Sequence, residues 1–397
     1  MANARYMAEK LRSHGWHYIT VDIQWYEPLA QRLDYRAGAK LEMDEYGRLL
    51  PAINRFPSAA GGRGFKPLAD AIHALGLKFG LHLLRGIPRQ AVAQNTPILN
   101  SIYHAADIAN PADVCAWNGD MYGVDMSKPG AQDYYNSVFQ LFASWGVDFI
   151  KVDDLSRPYH KEEIDAIRRA IDSAGRPIVF STSPGATPVA EGPHIESHAN
   201  MWRISDDFWD SWRLLKEQFV RLDTWTPFRG PGHFPDADML PLGNVRAFER
   251  NGWTRFTHDE QITLISLWCI ARSPLILGGN LPKNDDFTLS LLTNDEVLAV
   301  DQHSSNNRQI FRRDGFVAWA ADAEDDHGKY VALINARDPQ PGDSGGGLPV
   351  AFDLNSIGFS AACHLRDLWT HRELGDFQGS FRPIIPFHGA GLYRISP

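Results

Sequence analysis

Apolar residues along the first two-thirds of the chain alternate between two spacings. Leu68, Ile72 and Leu75 fall on one helical face, as do Tyr134, Val138, Leu141 and Trp145, and then Ile164, Ile167 and Ile171. After each such stretch comes a glycine and then a short run rich in β-branched and aromatic residues. Gly15 precedes HYITVDI, Gly76 precedes LKFGLHLL, Gly146 precedes VDFIKVD and Gly175 precedes RPIVFSTS. Glycine tolerates the left-handed conformation that ends a helix, so each glycine marks a helix-to-strand junction. NMWRISD, DADMLPL and SPLILGG continue the series, the last after a helix around 262–270. The pattern predicts strands at about 17–23, 78–83, 147–153, 177–182, 200–205, 237–241 and 274–278.

Strands alternating with helices imply a parallel sheet with right-handed crossovers. An open doubly wound sheet is the competing architecture, but no glycine-rich phosphate loop follows the first strand. The expected fold is therefore a (β/α)8 TIM barrel. The chain opens on an amphipathic helix pattern, MANARYMAEKLRSHG, so the strand lacking is the first. Connections 26–64 and 84–130 each follow a strand, which puts both over the carboxyl face, where barrel enzymes keep their chemistry. From about residue 300 the helical spacing stops. FVAWAA, KYVALINA, LPVAFDL, ACHLRDLW and FRPIIPF read as short strands separated by turns such as GDSGGG. The expected division is a catalytic barrel over 1–299 and an antiparallel β-sandwich domain over 300–397.

Composition narrows the function classes. The formal charge of −9 argues against nucleic acid as a partner. No apolar run approaches the roughly 20 residues of a membrane span. The 3 cysteines form no CxxC pair, so neither a disulfide framework nor a zinc site is expected. The 12 tryptophans suit either a large core or a cleft for the flat apolar faces of sugars.

The candidate chemistry sits at the carboxyl ends of the predicted strands. Asp22 is followed by Gln24 and Trp25, and His82 by Arg85. Lys151, Asp153 and Asp154 end one strand, Ser183 the next, and Arg203, Asp206 and Asp207 another. Asp236 and Asp238 open the DADMLPL run. Glycoside cleavage needs two carboxylates, one to attack the anomeric carbon and one to protonate the leaving oxygen. Lys151 and Asp153 stand two apart on a strand and point the same way. The cation keeps the carboxylate ionised, which suits a nucleophile. Asp154 reads as a helix N-cap, Asp210 as a solvated helix residue, and Asp238 as a support for the loop beneath the site. His82 reads equally as a satisfied core histidine. From the residues alone, Asp206 and Asp207 are equal candidates for the acid.

ASWGVDFIKVD, MWRISDDFWDSW, GPGHFPDADMLPLG, ARSPLILGGNL and HGAGLYRI, in that order, resemble successive motifs of glycoside hydrolase family 27, the α-galactosidases and α-N-acetylgalactosaminidases. The resemblance covers almost the entire chain. It implies a barrel with a C-terminal β domain and cofactor-free hydrolysis with retention. It matches Asp153 to the nucleophile and Asp207, four residues after Arg203, to the acid/base. Lys151, Arg203 and Asp22 match sugar-hydroxyl ligands. Trp25, His82 and Ser183 complete the expected substrate-binding set, with Ile23.

The departures are specific. The family's second acidic residue is Ile23 here, which suits a pentopyranose lacking the hydroxymethyl group. His82 replaces an aromatic, Ser183 replaces a glutamate and so leaves room at the 2-position, and Leu155 replaces a cysteine that would pair with Cys115. The family's opening strand has no counterpart, so the chain is expected to be an N-terminally truncated form of a longer enzyme that is extracellular or periplasmic. Exposed sheet edges would then favour homo-oligomers. The expected function is retaining exo-hydrolysis of terminal α-D-galactosyl residues from oligosaccharides or glycoconjugates, without metal or cofactor. The alternatives are the same mechanism on a β-L-arabinopyranoside or an α-glucan unit, or a non-catalytic sugar-binding remnant. A metal-dependent hydrolase lacks histidines clustered at strand ends.

Overall fold

The computed structural model describes residues 1–31, 35–246, 252–324, 327–341, 343 and 346–397. It forms two compact units, Met1–Arg12 with Trp16–Arg203, and Ser13–Gly15 with Ile204–Pro397.

In the first unit, strands Tyr18–Val21, Lys78–Leu84, Phe149–Asp153, Val179–Thr182 and Met201–Arg203 lie side by side in that order, all parallel. Helices Lys66–His73, Ala131–Trp145, Lys161–Ser173 and Gly192–His198 alternate with them. The helical segment 2–14 precedes Tyr18–Val21. Gly146 shows why glycine ends these helices. Its φ is +85°, and its N–H and that of Val147 bond back to Ala143 and Phe142 at 3.0 and 3.1 Å. Phe79, Leu81, Ile150, Val152 and Phe180 are buried, on the strand faces opposite to His82, Lys151 and Asp153.

The 84–130 connection is more ordered than its sequence suggests. It holds a helix, Arg89–Gln94, and a small antiparallel sheet of Ile87–Pro88, Met121–Val124 and Ala109–Asn110. In the 26–64 connection, residues 32–34 lie outside the described set.

In the second unit, the expected 237–241 strand is displaced to Phe234–Asp236, and Leu240 makes one parallel bridge to Leu277. Pro241 lacks an amide donor and Asp238 takes φ +81°, so the run cannot continue as a ladder. Helix His258–Ala271 is buried on nearly every side, and Thr257 and Glu260 form a capping box at its start. After Asp295–Gln302 no further α-helix occurs among the described residues.

Strands Ser304–Arg313, Phe316–Ala323, Lys329–Asn335, Ala390–Ser396, Cys363–Asp367 and Arg372–Phe377 make an antiparallel sheet in that spatial order. Two short pairs, Leu348–Pro349 with Ile384–Ile385 and Phe352–Asp353 with Ser380–Phe381, accompany it. Val331, Leu333, Phe352, Leu365, Phe381 and Ile395 close the core of this sandwich. The GDSGGG turn includes residues 342, 344 and 345, which lie outside the described set.

Candidate active site

Strand register assembles the site in the first unit. Val21 pairs with Leu81, which sets Asp22 beside His82, and His82 pairs with Lys151. Ser183 follows Val179–Thr182. Its N–H bonds Val152 O at 2.9 Å and its carbonyl accepts from Leu155 N–H at 3.1 Å, which fixes its hydroxyl next to Asp153.

Three groups converge on Asp153. Its Oδ2 lies 2.9 Å from His82 Nε2, its Oδ1 accepts a hydrogen bond from Ser183 Oγ, and Lys151 Nζ is 3.7 Å from Oδ1. Lys151 Nζ also stands 3.8 Å from Asp22 Oδ1. Side-chain exposure rises from 8% at Asp153 to 29% at Lys151 and 67% at Asp22, which describes an opening with Asp153 at its floor. Burial pushes the Asp153 carboxyl up. The Lys151 charge and then His82 and the Ser183 hydroxyl outweigh it and hold the group far below the usual carboxylate range. A carboxylate so held is anionic at neutral pH, the state in which a carboxylate can act as a nucleophile.

Three of the expected sugar ligands are fully buried. Trp25, His82 and Ser183 expose no surface. Trp25 packs on Phe65, Phe142 and Trp145 at ring distances of 5.2 to 6.4 Å, and its Nε1 donates to His82 O at 2.8 Å. His82 and Ser183 hold Asp153, and Trp25 backs His82. Ile23 is half-buried beside Asp22. Arg203 ends its strand, 2% exposed, and its carbonyl accepts from Thr187 N–H at 3.0 Å.

Asp120, in the 84–130 connection, was not read from the sequence, and Arg85 was read without its partners. Asp120 is buried and accepts from Gln24 Nε2 at 3.2 Å and Tyr26 OH at 3.3 Å. Burial raises its pKa against the hydrogen bonds of Gln24, Asn118 and Tyr26. Arg85, 2% exposed, binds Asp113, Asp154 and Glu163 through bonds of 2.7 to 2.9 Å. Asp154 is therefore an ion-pair partner with φ +67°, and His160 occupies the N-cap of helix Lys161–Ser173. A buried arginine with several acidic partners scattered over the chain leaves no local sequence signal.

Asp206 and Asp207 lie in the second unit, both exposed, in the segment that follows Ile204. That segment is pinned on either side. Ile204 N–H bonds Asp236 O at 3.0 Å, and Phe208 N–H bonds Asp238 Oδ2 at 2.7 Å. Asp238 is itself held by Asp236 Oδ1 and by Trp268 Nε1. Asp210 is not a solvated helix residue. It is buried, paired with Arg246 and bonded by Arg255 N–H at 2.6 Å.

A strand-end carboxylate kept ionised by a lysine two residues earlier, on a parallel α/β scaffold followed by a β sandwich, defines the class of barrel glycosidases. The comparisons are more specific. The α-galactosidase A profile matches residues 118–303, and the α-galactosidase C-terminal β-sandwich profile matches residues 313–395. A GH27 β-L-arabinopyranosidase from Geobacillus stearothermophilus is 50% identical at TM-score 0.95, over 100% of this chain and 91% of that one. A putative α-N-acetylgalactosaminidase from Bacillus halodurans is 49% identical at TM-score 0.87, over 100% and 92%. The α-galactosidase of Cyamopsis tetragonoloba is 27% identical over 98% of this chain and 79% of its own length. The chain belongs to glycoside hydrolase family 27. It is a glycoside hydrolase with a (β/α)8 TIM barrel and a C-terminal β sandwich. No helix among the described residues is long and apolar enough to cross a membrane.

Proposed function

We propose that this chain removes terminal α-D-galactosyl residues from oligosaccharides and glycoconjugates by double displacement, with Asp153 as nucleophile and Asp207 as acid/base. Asp153 forms a bond to the anomeric carbon while the glycosidic C–O bond breaks and Asp207 gives its proton to the leaving oxygen. Water then attacks the glycosyl-enzyme, Asp207 takes its proton, and Asp153 departs. Lys151, Asp22 and Arg203 bind sugar hydroxyls, and the sequence needs no cofactor for any step. The observation that carries the reading is the anionic Asp153 at the floor of an opening lined by Lys151 and Asp22. The curated relatives named α-galactosidases support the sugar. Incubation with a 2-deoxy-2-fluoro glycoside followed by peptide mass spectrometry should find the label on Asp153. Label on another residue would remove Asp153 as nucleophile.

A second reading keeps the mechanism and changes the sugar to a β-L-arabinopyranoside, the same ring configuration without the hydroxymethyl group. Two observations favour it: Ile23 offers no hydrogen-bond acceptor beside Asp22, and the 50% identical structure is of a β-L-arabinopyranosidase. Rates on matched nitrophenyl α-D-galactoside and β-L-arabinopyranoside separate the two. Binding of either sugar without product would mark a non-catalytic remnant.

A further inference from the structure

Away from the sugar site, helix Lys161–Ser173 meets the short helix Gly192–His198 through Asp165, His194 and His198. The histidines are four apart, so both rings leave one helical face. They stack at 4.2 Å with 23° between their planes. Both Nε2 atoms aim at one carboxylate oxygen: Asp165 Oδ1 is 2.6 Å from His194 Nε2 and 3.3 Å from His198 Nε2.

The outer nitrogens fix what the inner ones can offer. His198 Nδ1 lies 2.8 Å from the His194 carbonyl oxygen and 2.9 Å from Ser197 Oγ, and the tautomer that donates from Nδ1 to the carbonyl makes Nε2 the ligating nitrogen. In that tautomer the Nε2 lone pair and the Asp165 carboxylate face each other across 3.3 Å, a spacing that a cation between them would bridge. His194 Nδ1 meets the Tyr159 hydroxyl, and its Nε2, already against Asp165 Oδ1, is the nitrogen that a metal ion would take. One divalent ion satisfies all three side chains.

We propose that Asp165, His194 and His198 form a two-histidine, one-carboxylate site for a divalent transition-metal ion that clamps the two helices together. Imidazole and carboxylate donors suit zinc, cobalt or nickel better than magnesium or calcium. Bonds of about 2.0–2.2 Å put tetrahedral ligand atoms about 3.3 Å apart. The Asp165–His198 spacing already has that value, and the Asp165–His194 pair opens by about 0.7 Å to reach it. A ring nitrogen bonded to a backbone carbonyl, as in His198, is the usual outer support of a metal-binding histidine. The fourth position is left for water. The other acidic–histidine group, Asp113, His160 and Glu163, carries no such proposal because the Arg85 guanidinium already supplies its cation.

The test uses the whole chain after chelator treatment. Zinc titrated by calorimetry should bind with one saturable high-affinity site per chain, and cobalt should give the intense visible absorption of tetrahedral coordination. Asp165→Asn and His198→Gln should each lose that site and that absorption while hydrolysing glycosides at the unaltered rate, which shows that they fold. Binding that persists in both variants, or no saturable site in the parent chain, overturns the proposal. Should either variant fail to fold, the parent chain's cobalt spectrum decides: a weak octahedral spectrum rejects the site.

Discussion

The neighbours of Asp153 oppose the effect of its burial. Its pKa is depressed relative to the unfolded chain. Its contribution to stability is therefore present above the unfolded value of about 3.9 and is lost as pH falls through the folded one. Lys151→Met removes the largest depressing influence. The acid limb of kcat/KM against pH should move upward by about 1–2 units, with a lower plateau. An unmoved limb would mean that another group sets it. Asp153→Asn should lower kcat by at least about a thousandfold while sugar binding stays measurable by calorimetry. Unchanged turnover would remove it as nucleophile. The Lys-x-Asp spacing made this pair legible, since strand residues two apart share a face. The contacts of Ser183 and His82 with Asp153, and of Trp25 with His82, were not legible. Whether a strand-end side chain meets the sugar or the nucleophile depends on inter-strand register, which residue type alone does not specify.

Strands and helices are tied together behind the site by Arg85, which joins the end of Lys78–Leu84 to Asp113, to Asp154 and to Glu163 on helix Lys161–Ser173. Burial pushes Glu163 up, and Arg85 works against that. Arg85→Met leaves three acidic groups without their cation and should cost about 3–5 kcal/mol in denaturant unfolding at pH 7. The freed carboxyls then take up protons more readily folded than unfolded, so the deficit should shrink toward pH 5. A deficit independent of pH would point to lost packing instead. Helices and central strands were readable because their apolar periods are strong and glycines end them. Ser304–Arg313 was not, because SSNNRQIFRR is polar and its pairing is interrupted by two register shifts. A strand at a sheet edge needs no alternating apolar face.

That edge bears on how copies of the chain meet. The sandwich sheet ends in Ser304–Arg313 on one side and Arg372–Phe377 on the other. Arg308, Arg312 and Arg313 lie on the first, and Arg372, Glu373 and Asp376 on the second. Charged edges discourage strand-to-strand association. Tyr18–Val21 is different. Among the described residues it pairs with Lys78–Leu84 alone, and its sequence, YITV, carries no charge. An uncharged, β-prone strand with an open side is a template for another chain. Any self-association should therefore run through Tyr18–Val21 and leave the sandwich free. Sedimentation velocity over a hundredfold range of concentration should show a concentration-dependent oligomer, and hydrogen exchange should slow at residues 18–21 as it forms. A monomer throughout, or protection that appears at the sandwich edges instead, would show that the open side of Tyr18–Val21 is not what brings the chains together.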